Sequence, residues 1–198
     1  MKKLGEQIHL LNSTHTDLGG IPHRTDPATP VFPIVGLRGG YQLEETDMTL
    51  GQGLAEYYRV NPGLSNPSTL TDVKSAEYFH CHDCTHVIFG THTGVIDEIV
   101  NDLWTIYGVQ IRLSQYAAGF YATAEGKKIA KKFDIPETLR ATVKSLRLFP
   151  EVRRRGKAMT QKWPWVPPQG ALDRPLVDIR AEYGIQVFHA EAVLADGH

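Results

Sequence analysis

Hydrophobic residues along this 198-residue chain recur mostly at helical spacing, and the pattern sets in only after an irregular start. Residues 1–40 carry prolines 22, 27, 30 and 33 and glycines 5, 19, 20, 36, 39 and 40 with little periodicity, which reads as a lead-in. From Leu43 to Tyr58, Met48, Leu50, Leu54 and Tyr57–Tyr58 form a helical stripe, with Thr46 or Asp47 as its cap and Asn61-Pro62-Gly63 as its stop. A second helix is predicted from Thr71–Asp72 to about Phe89. Gly90 and Gly94 bracket a break, and Thr91 or Thr93 is the expected N-cap of the next helix. That helix has the clearest stripe: Val95, Ile96, Ile99, Val100, Leu103, Trp104 and Tyr107, ending at Gly108. Ile111–Ala124 reads as helical too, and Ala117-Ala118-Gly119 permits the close approach of another helix or a flat ligand. A basic helix follows Pro136 with Leu139, Val143 and Leu146 turned inward, and Pro150 should end or bend it. Beyond the aromatic-proline run Trp163–Pro168, a short helix is expected from Pro175, and Ile185–Phe188 is the one strand-like stretch. The fold class expected is all-α, with an irregular segment at 1–44 and a single helical domain at 45–198.

Composition supports one well-buried core, since 41% of the residues are hydrophobic. With 21 basic and 22 acidic residues, nothing global points to nucleic acid as a partner. Locally the balance shifts: Lys127–Lys157 holds eleven Lys or Arg and only Asp134, Glu137 and Glu151 as acids. Such a run suits anionic lipid headgroups or phosphates, or else a solvated helix face. No apolar run approaches the roughly 20 residues that span a bilayer. The start Met1–Glu6 lacks a signal-peptide core. A cytoplasmic location, peripheral on the inner face of a membrane at most, is the expectation. The two cysteines, Cys81 and Cys84, make no disulfide framework.

The chemistry concentrates in Tyr78–Val100. Four of nine histidines (His80, His82, His86 and His92) fall within thirteen residues, interleaved with Asp83, Asp97 and Glu98. On a helix, His82 and His86 stand one turn apart on the same face, with Asp83 alongside. A carboxylate from the following helix then closes a mixed N/O site of the kind Zn, Mn or Fe takes. Glu98 lies opposite the apolar stripe of its own helix, so it faces solvent or a polar cleft, and Asp97 and Asp102 share that ambiguity. The alternative for a lone His-x-x-x-His pair is chance surface spacing. A thioredoxin-like role for Cys81-x-x-Cys84 would need a preceding strand. A zinc knuckle from Cys81, Cys84, His86 and His92 fits no common finger spacing, and one cysteine is expected in the core. Two histidines and two carboxylates would leave positions open for water or substrate.

The spacing His82-Asp83-x-x-His86, then eleven residues, then Glu98 resembles the signature of the ubiquinone-biosynthesis proteins of the Coq-four family. Two flanks resemble it as well: Met48-Thr49-Leu50-Gly51 with Leu54 and Tyr57–Tyr58, and Arg174-Pro175-Leu176, Arg180 and Gly184-Ile185 near the end. The likeness covers about residues 45–186. It implies a mostly helical fold and a divalent metal, usually described as zinc with Fe, Mn or Mg as alternatives, held by the catalytic set His82, Asp83, His86 and Glu98. It also implies a hydrophobic channel for a polyprenyl lipid or quinone precursor, a membrane surface and other quinone-pathway proteins as partners, and a homodimer. The implied activity is oxidative decarboxylation of a polyprenylated benzenoid ring, beside a role in organising the pathway complex. The chain departs from the family by having His80 and Cys81 where Arg and Glu are common, and its first forty residues align with nothing. Two other functions compete: a non-enzymatic prenyl-lipid scaffold, and a His-Asp phosphohydrolase. The latter needs a further upstream histidine, for which His23 is the nearest candidate outside the cluster.

Overall fold

The computed structural model describes residues 37–132 and 134–195. It is 65% helix and 4% strand, the all-α architecture that the spacing leads one to expect. At its centre runs α2, Val73–Phe89, in which twelve of 17 residues are buried, polar ones among them. Burial on all sides explains why this segment has no apolar stripe. Asp72 rather than Thr71 caps it, its carboxylate accepting from the Ser75 N–H at 3.2 Å. The helix ends at Gly90 with φ 72°, where a Cβ would lie 2.5 Å from Val187 Cγ1, so this left-handed turn requires glycine.

Helix α1, Leu50–Val60, starts later than its stripe suggests. Thr49, not Thr46 or Asp47, is the N-cap: its hydroxyl accepts from Gln52 N–H at 3.2 Å while the Gln52 side chain accepts from Thr49 N–H at 2.9 Å. Helix α3, Val95–Gly108, is capped by Gly94 without any side-chain bond. Thr93 donates instead to Asn61 Oδ1 at 2.8 Å, and Thr91 faces α2, so neither serves as the expected cap. Next come α4 (Leu113–Ala122) and α5 (Ala124–Ala130), both packed on α2. On α4, Gly119 lies so close to the Tyr78 ring that a Cβ would approach it to 2.8 Å. Helices α6 (Ile135–Ser145) and α7 (Phe149–Ala158) pack on α3. Pro150 falls in the first turn of α7, a favourable place for it, and does not bend α6. The chain closes with α8 (Leu176–Tyr183) and α9 (Ala190–Ala195), while β1 (Val109–Gln110) and β2 (Trp163–Pro164) make a short parallel pair.

Two further expectations are overturned. Ile185–Phe188 is irregular, not a strand, because its apolar side chains pack into the core and the Val187 N–H donates to Glu44 Oε2 at 2.6 Å. In α6 the large apolar residues Leu139, Val143 and Leu146 point outward, and the small Thr138, Ala141 and Ser145 turn toward the protein. Periodicity shows that such residues share a face, not that another element covers it. The lead-in reading of 1–36, His23 included, lies outside the described residues, but Tyr41 and Gln42 are fully buried in the same core as the helices. Among the described residues, no helix is long and apolar enough to cross a membrane.

One buried cation ties the ends of the fold together. Arg180 on α8 donates to the carbonyls of Val87 (3.0 Å) and Ile88 (2.9 Å) in the last turn of α2, and to those of Tyr41 (2.6 Å) and Leu43 (2.6 Å). Nearby, Leu50 N–H donates to the Arg174 carbonyl at 2.9 Å and Leu176 N–H to the Met48 carbonyl at 2.8 Å. This antiparallel bridge joins Met48–Leu50 to Arg174–Leu176. Removing the guanidinium orphans three buried carbonyls and the half-buried one of Leu43, so Arg180→Met should cost about 3–5 kcal/mol in urea unfolding. Arg174→Ala, which removes an exposed pair with Glu182 at 2.6 Å, should cost no more than about 1 kcal/mol in the same measurement.

Candidate metal centre

Helices α2 and α3 bring three predicted ligands together. His82 Nε2 lies 3.9 Å and His86 Nε2 lies 3.4 Å from the same Glu98 oxygen, Oε2, and the three ligand atoms are mutually within 4.8 Å. The helical i, i+4 relation brings His82 and His86 into line, their rings 4.7 Å apart. Glu98 belongs to the first turn of α3, and the Gly90–Gly94 connection folds that turn back onto α2. Ligands at about 2.1 Å from a tetrahedral ion sit about 3.4 Å from one another, close to the spacing observed.

Asp83 does not join this group. Its Oδ2 accepts from the Tyr58 hydroxyl at 2.8 Å and its Oδ1 lies 3.4 Å from His82 Nδ1, on the edge of the ring away from Glu98. It therefore positions His82 by accepting from Nδ1–H, which in the neutral ring leaves the lone pair on Nε2.

A longer relay does the same for His86. The Thr85 hydroxyl donates to the His82 carbonyl at 2.6 Å, so Thr85 must accept from Asn101 Nδ2, 3.0 Å away. That orientation turns Asn101 Oδ1 toward Thr91, which donates to it at 3.3 Å. With its proton committed, Thr91 Oγ1 accepts from His86 Nδ1–H at 2.9 Å. In the neutral ring this leaves the lone pair on His86 Nε2, which is fully buried and aimed at the Glu98 carboxylate oxygen 3.4 Å away. A bare Nε2 and a carboxylate oxygen at that distance repel, so either a proton on the ring or a metal cation lies between them. The donor set is the mixed N/O type that divalent zinc accepts, with fewer than four protein ligands and a part-exposed carboxylate.

Burial acts to raise the Glu98 carboxyl, but the imidazoles of His86, His82 and His92 together outweigh it and hold its pKa below the usual range. For His82, burial pulls downward while Asp83 and Glu98 more than compensate, so its pKa is raised. Around His82 stands an aromatic wall: Tyr78 and Tyr116 are each stacked at 6.3 Å, and Trp165 lies 5.5 Å from Tyr116. The Tyr116 hydroxyl donates to Asp102 Oδ1 at 2.6 Å, one turn along α3 from Glu98.

The remaining histidines and cysteines of the cluster do other things. Cys81 and Cys84 form no disulfide and are both buried. Burial pushes the Cys81 thiol up to about 12 and that of Cys84 well above its ordinary value, which suits neither thiolate ligation nor redox exchange. His80 is buried with its Nε2 4.0 Å from Cys84 Sγ.

A second group, His92, Asp97 and Glu191, also converges within 4.8 Å. Its tautomer is the opposite one: Gly94 N–H donates to His92 Nδ1 at 2.8 Å, so the proton sits on Nε2, 3.3 Å from Asp97 and 3.5 Å from Glu191. Nε2–H thus faces Asp97 and Glu191 within ion-pair distance, although neither contact has hydrogen-bond geometry, and the group brings α9 against the start of α3. The signals for Thr85, Thr91 and Asn101 were absent from the pattern, because single Thr and Asn residues are ordinary in caps and turns.

No protein-family model, no curated protein and no solved structure matches the chain.

Thr91→Val should weaken divalent-metal binding about 10- to 100-fold in a competition titration, since it removes the acceptor that holds the His86 tautomer. Glu191→Gln should leave metal stoichiometry, read by native mass spectrometry, at one per chain. Two metals in the wild type and one in Glu191→Gln would overturn the tautomer assignment at His92.

Proposed function

We propose that the protein is a metal-dependent enzyme of quinone biosynthesis, acting at the ring of a polyprenylated benzenoid precursor by oxidative decarboxylation, in which the carboxyl leaves as carbon dioxide, a hydroxyl takes its place and dioxygen accepts the two electrons. The observation that carries the metal-dependent part is the convergence of His82 Nε2, the buried His86 Nε2 and Glu98 Oε2 on one point. His82, His86 and Glu98 would hold the ion, zinc being the natural first choice for two imidazoles and a carboxylate. A divalent ion bound there supplies Lewis-acid polarisation of a substrate oxygen.

Other groups of the chain have separate work in this reading. Asp83 and the Thr91–Asn101–Thr85 relay keep both imidazoles in the ligating tautomer. The wall of Tyr78, Tyr116 and Trp165 offers flat faces to an aromatic ring, worth about 0.5–1.5 kcal/mol per stacked pair beyond simple burial. The hydrogen-bonded Tyr116 and Asp102 hold a proton at Tyr116 Oη, at the edge of the site, where a substrate oxygen can exchange with it. The identity of the ring and its prenyl tail comes from the resemblance of His82-Asp83-x-x-His86 and Glu98 to the Coq-four signature.

Elemental analysis and native mass spectrometry of the wild type beside His82→Ala/Glu98→Ala, with a lipid extract of each, test this reading. About one divalent metal per chain is expected, lost in the double variant, with a prenyl lipid co-purifying and carbon dioxide released from a prenylated hydroxybenzoate only by the metal-loaded wild type. A protein that takes up no metal after reconstitution yet retains prenyl lipid is a carrier or scaffold, and the catalytic reading fails.

A further inference from the structure

Helix α6 presents its apolar side to solvent. Ile135, Leu139, Val143 and Leu146 are 77%, 62%, 61% and 63% exposed. At about 100° per residue they share an arc of about 80° on the helix and its final turn. Thr138, Ala141 and Ser145 occupy the inward side. Arg140, Lys144 and Arg147 follow the stripe around the next about 100° of circumference. Among the described residues, none of these three cations pairs with a carboxylate, and neither do Lys127, Lys131 and Lys132 just upstream.

Several occupants could cover such a face, and charge separates them. A second copy packed two-fold on this stripe would set a segment with eleven cations and three acids against itself. A nucleic acid offers phosphates but gives four large apolar side chains nothing to enter. The surface of an anionic bilayer offers both, with acyl chains below and phosphates above.

We propose that α6 is a docking surface for an anionic lipid bilayer. The helix lies in the plane of the interface with Ile135, Leu139, Val143 and Leu146 in the boundary between headgroups and acyl chains. Arg140, Lys144, Arg147 and the lysines of 127–132 meet the lipid phosphates. The remainder of the chain, which carries ten basic and nineteen acidic residues, is repelled by the same surface, so the charge distribution also orients the molecule. Because α6 packs directly on α3, the helix that carries Glu98, the membrane-facing layer adjoins the helix of the metal centre. The docking itself does not depend on the metal-centre reading.

Flotation of the full chain with phosphatidylcholine vesicles, with and without phosphatidylglycerol, tests the proposal. The wild type should partition to the anionic vesicles and bind the neutral ones at least about tenfold more weakly. Leu139→Ser/Val143→Ser and Arg140→Glu/Lys144→Glu should each lose about tenfold or more, with unchanged helicity by circular dichroism since all four positions are exposed. In an independent readout, Val143→Trp should show a blue-shifted emission with anionic vesicles only. Failure of the wild type to bind anionic vesicles overturns the proposal. So does equal binding by the serine variant, which would mean electrostatic adsorption alone. A wild-type dimer that the serine variant dissociates would make the stripe a subunit interface, and nucleic-acid binding lost in both double variants would make it a nucleic-acid surface; either result also overturns the proposal.

Discussion

The guanidinium of Arg180 fills the C-terminal mouth of the central helix, where the last carbonyls of α2 have no intrahelical partner. Burial pulls its pKa down to about 10, so it stays charged at neutral pH, and helix-end carbonyls rather than a paired carboxylate solvate it. The same cation binds the 41–43 segment, which places three stretches of chain distant in sequence around one group. Everything past that mouth follows from it. The left-handed turn at Gly90 leaves the end of α2 in a set direction, and Thr91, the next residue, arrives where it can accept from His86. A structural clamp on the carbonyl side of α2 thereby determines a chemical property, the tautomer of a histidine, one turn earlier.

Burying a helix as polar as α2 is expensive unless each group is matched, and the matching differs between its two ends of chemistry. Donation runs from His86 Nδ1–H through Thr91, Asn101 and Thr85 to the His82 carbonyl, which fixes the Nδ1 proton of His86. At His92 a backbone N–H takes the other ring nitrogen and leaves a donor. The two clusters contain nearly the same residue types at nearly the same spacing, yet only one presents lone pairs to a common point. Which nitrogen bears the proton, set by neighbours that are not ligands, separates the candidate metal centre from the His92 cluster.

Charge and apolar surface are segregated on this molecule. Nearly all excess positive charge lies in and around α5, α6 and α7, and the large exposed apolar side chains of α6 sit among it. A lipid-facing layer beside a polar centre is a coherent arrangement for a protein whose proposed substrate has both a long apolar tail and a polar ring. The aromatic wall at Tyr78, Tyr116 and Trp165 lies at the His82 side of that centre.

Six of the helices and their order were legible along the chain, because local apolar spacing, Gly and Pro punctuation and the stop at Gly108 act over a few residues, whereas the short α5, α7 and α9 were not. So was the convergence of His82, His86 and Glu98, since helical geometry aligns the histidines and a short glycine-bounded turn returns Glu98 to them. The start of α1 was misplaced because the two expected caps, Thr46 and Asp47, stand just before the real one, and only the reciprocal bond with Gln52 selects Thr49. Ile185–Phe188 read as a strand because burial of alternate side chains produces the same pattern in irregular chain. What the sequence determined by itself was the set of local elements and the residue types available to a site. Tertiary structure alone decided that Asp83 stands behind His82, that Asn101 and Thr91 choose the His86 tautomer, and that the apolar side of α6 has no cover, because each depends on contacts between residues far apart in the chain, which no local periodicity encodes.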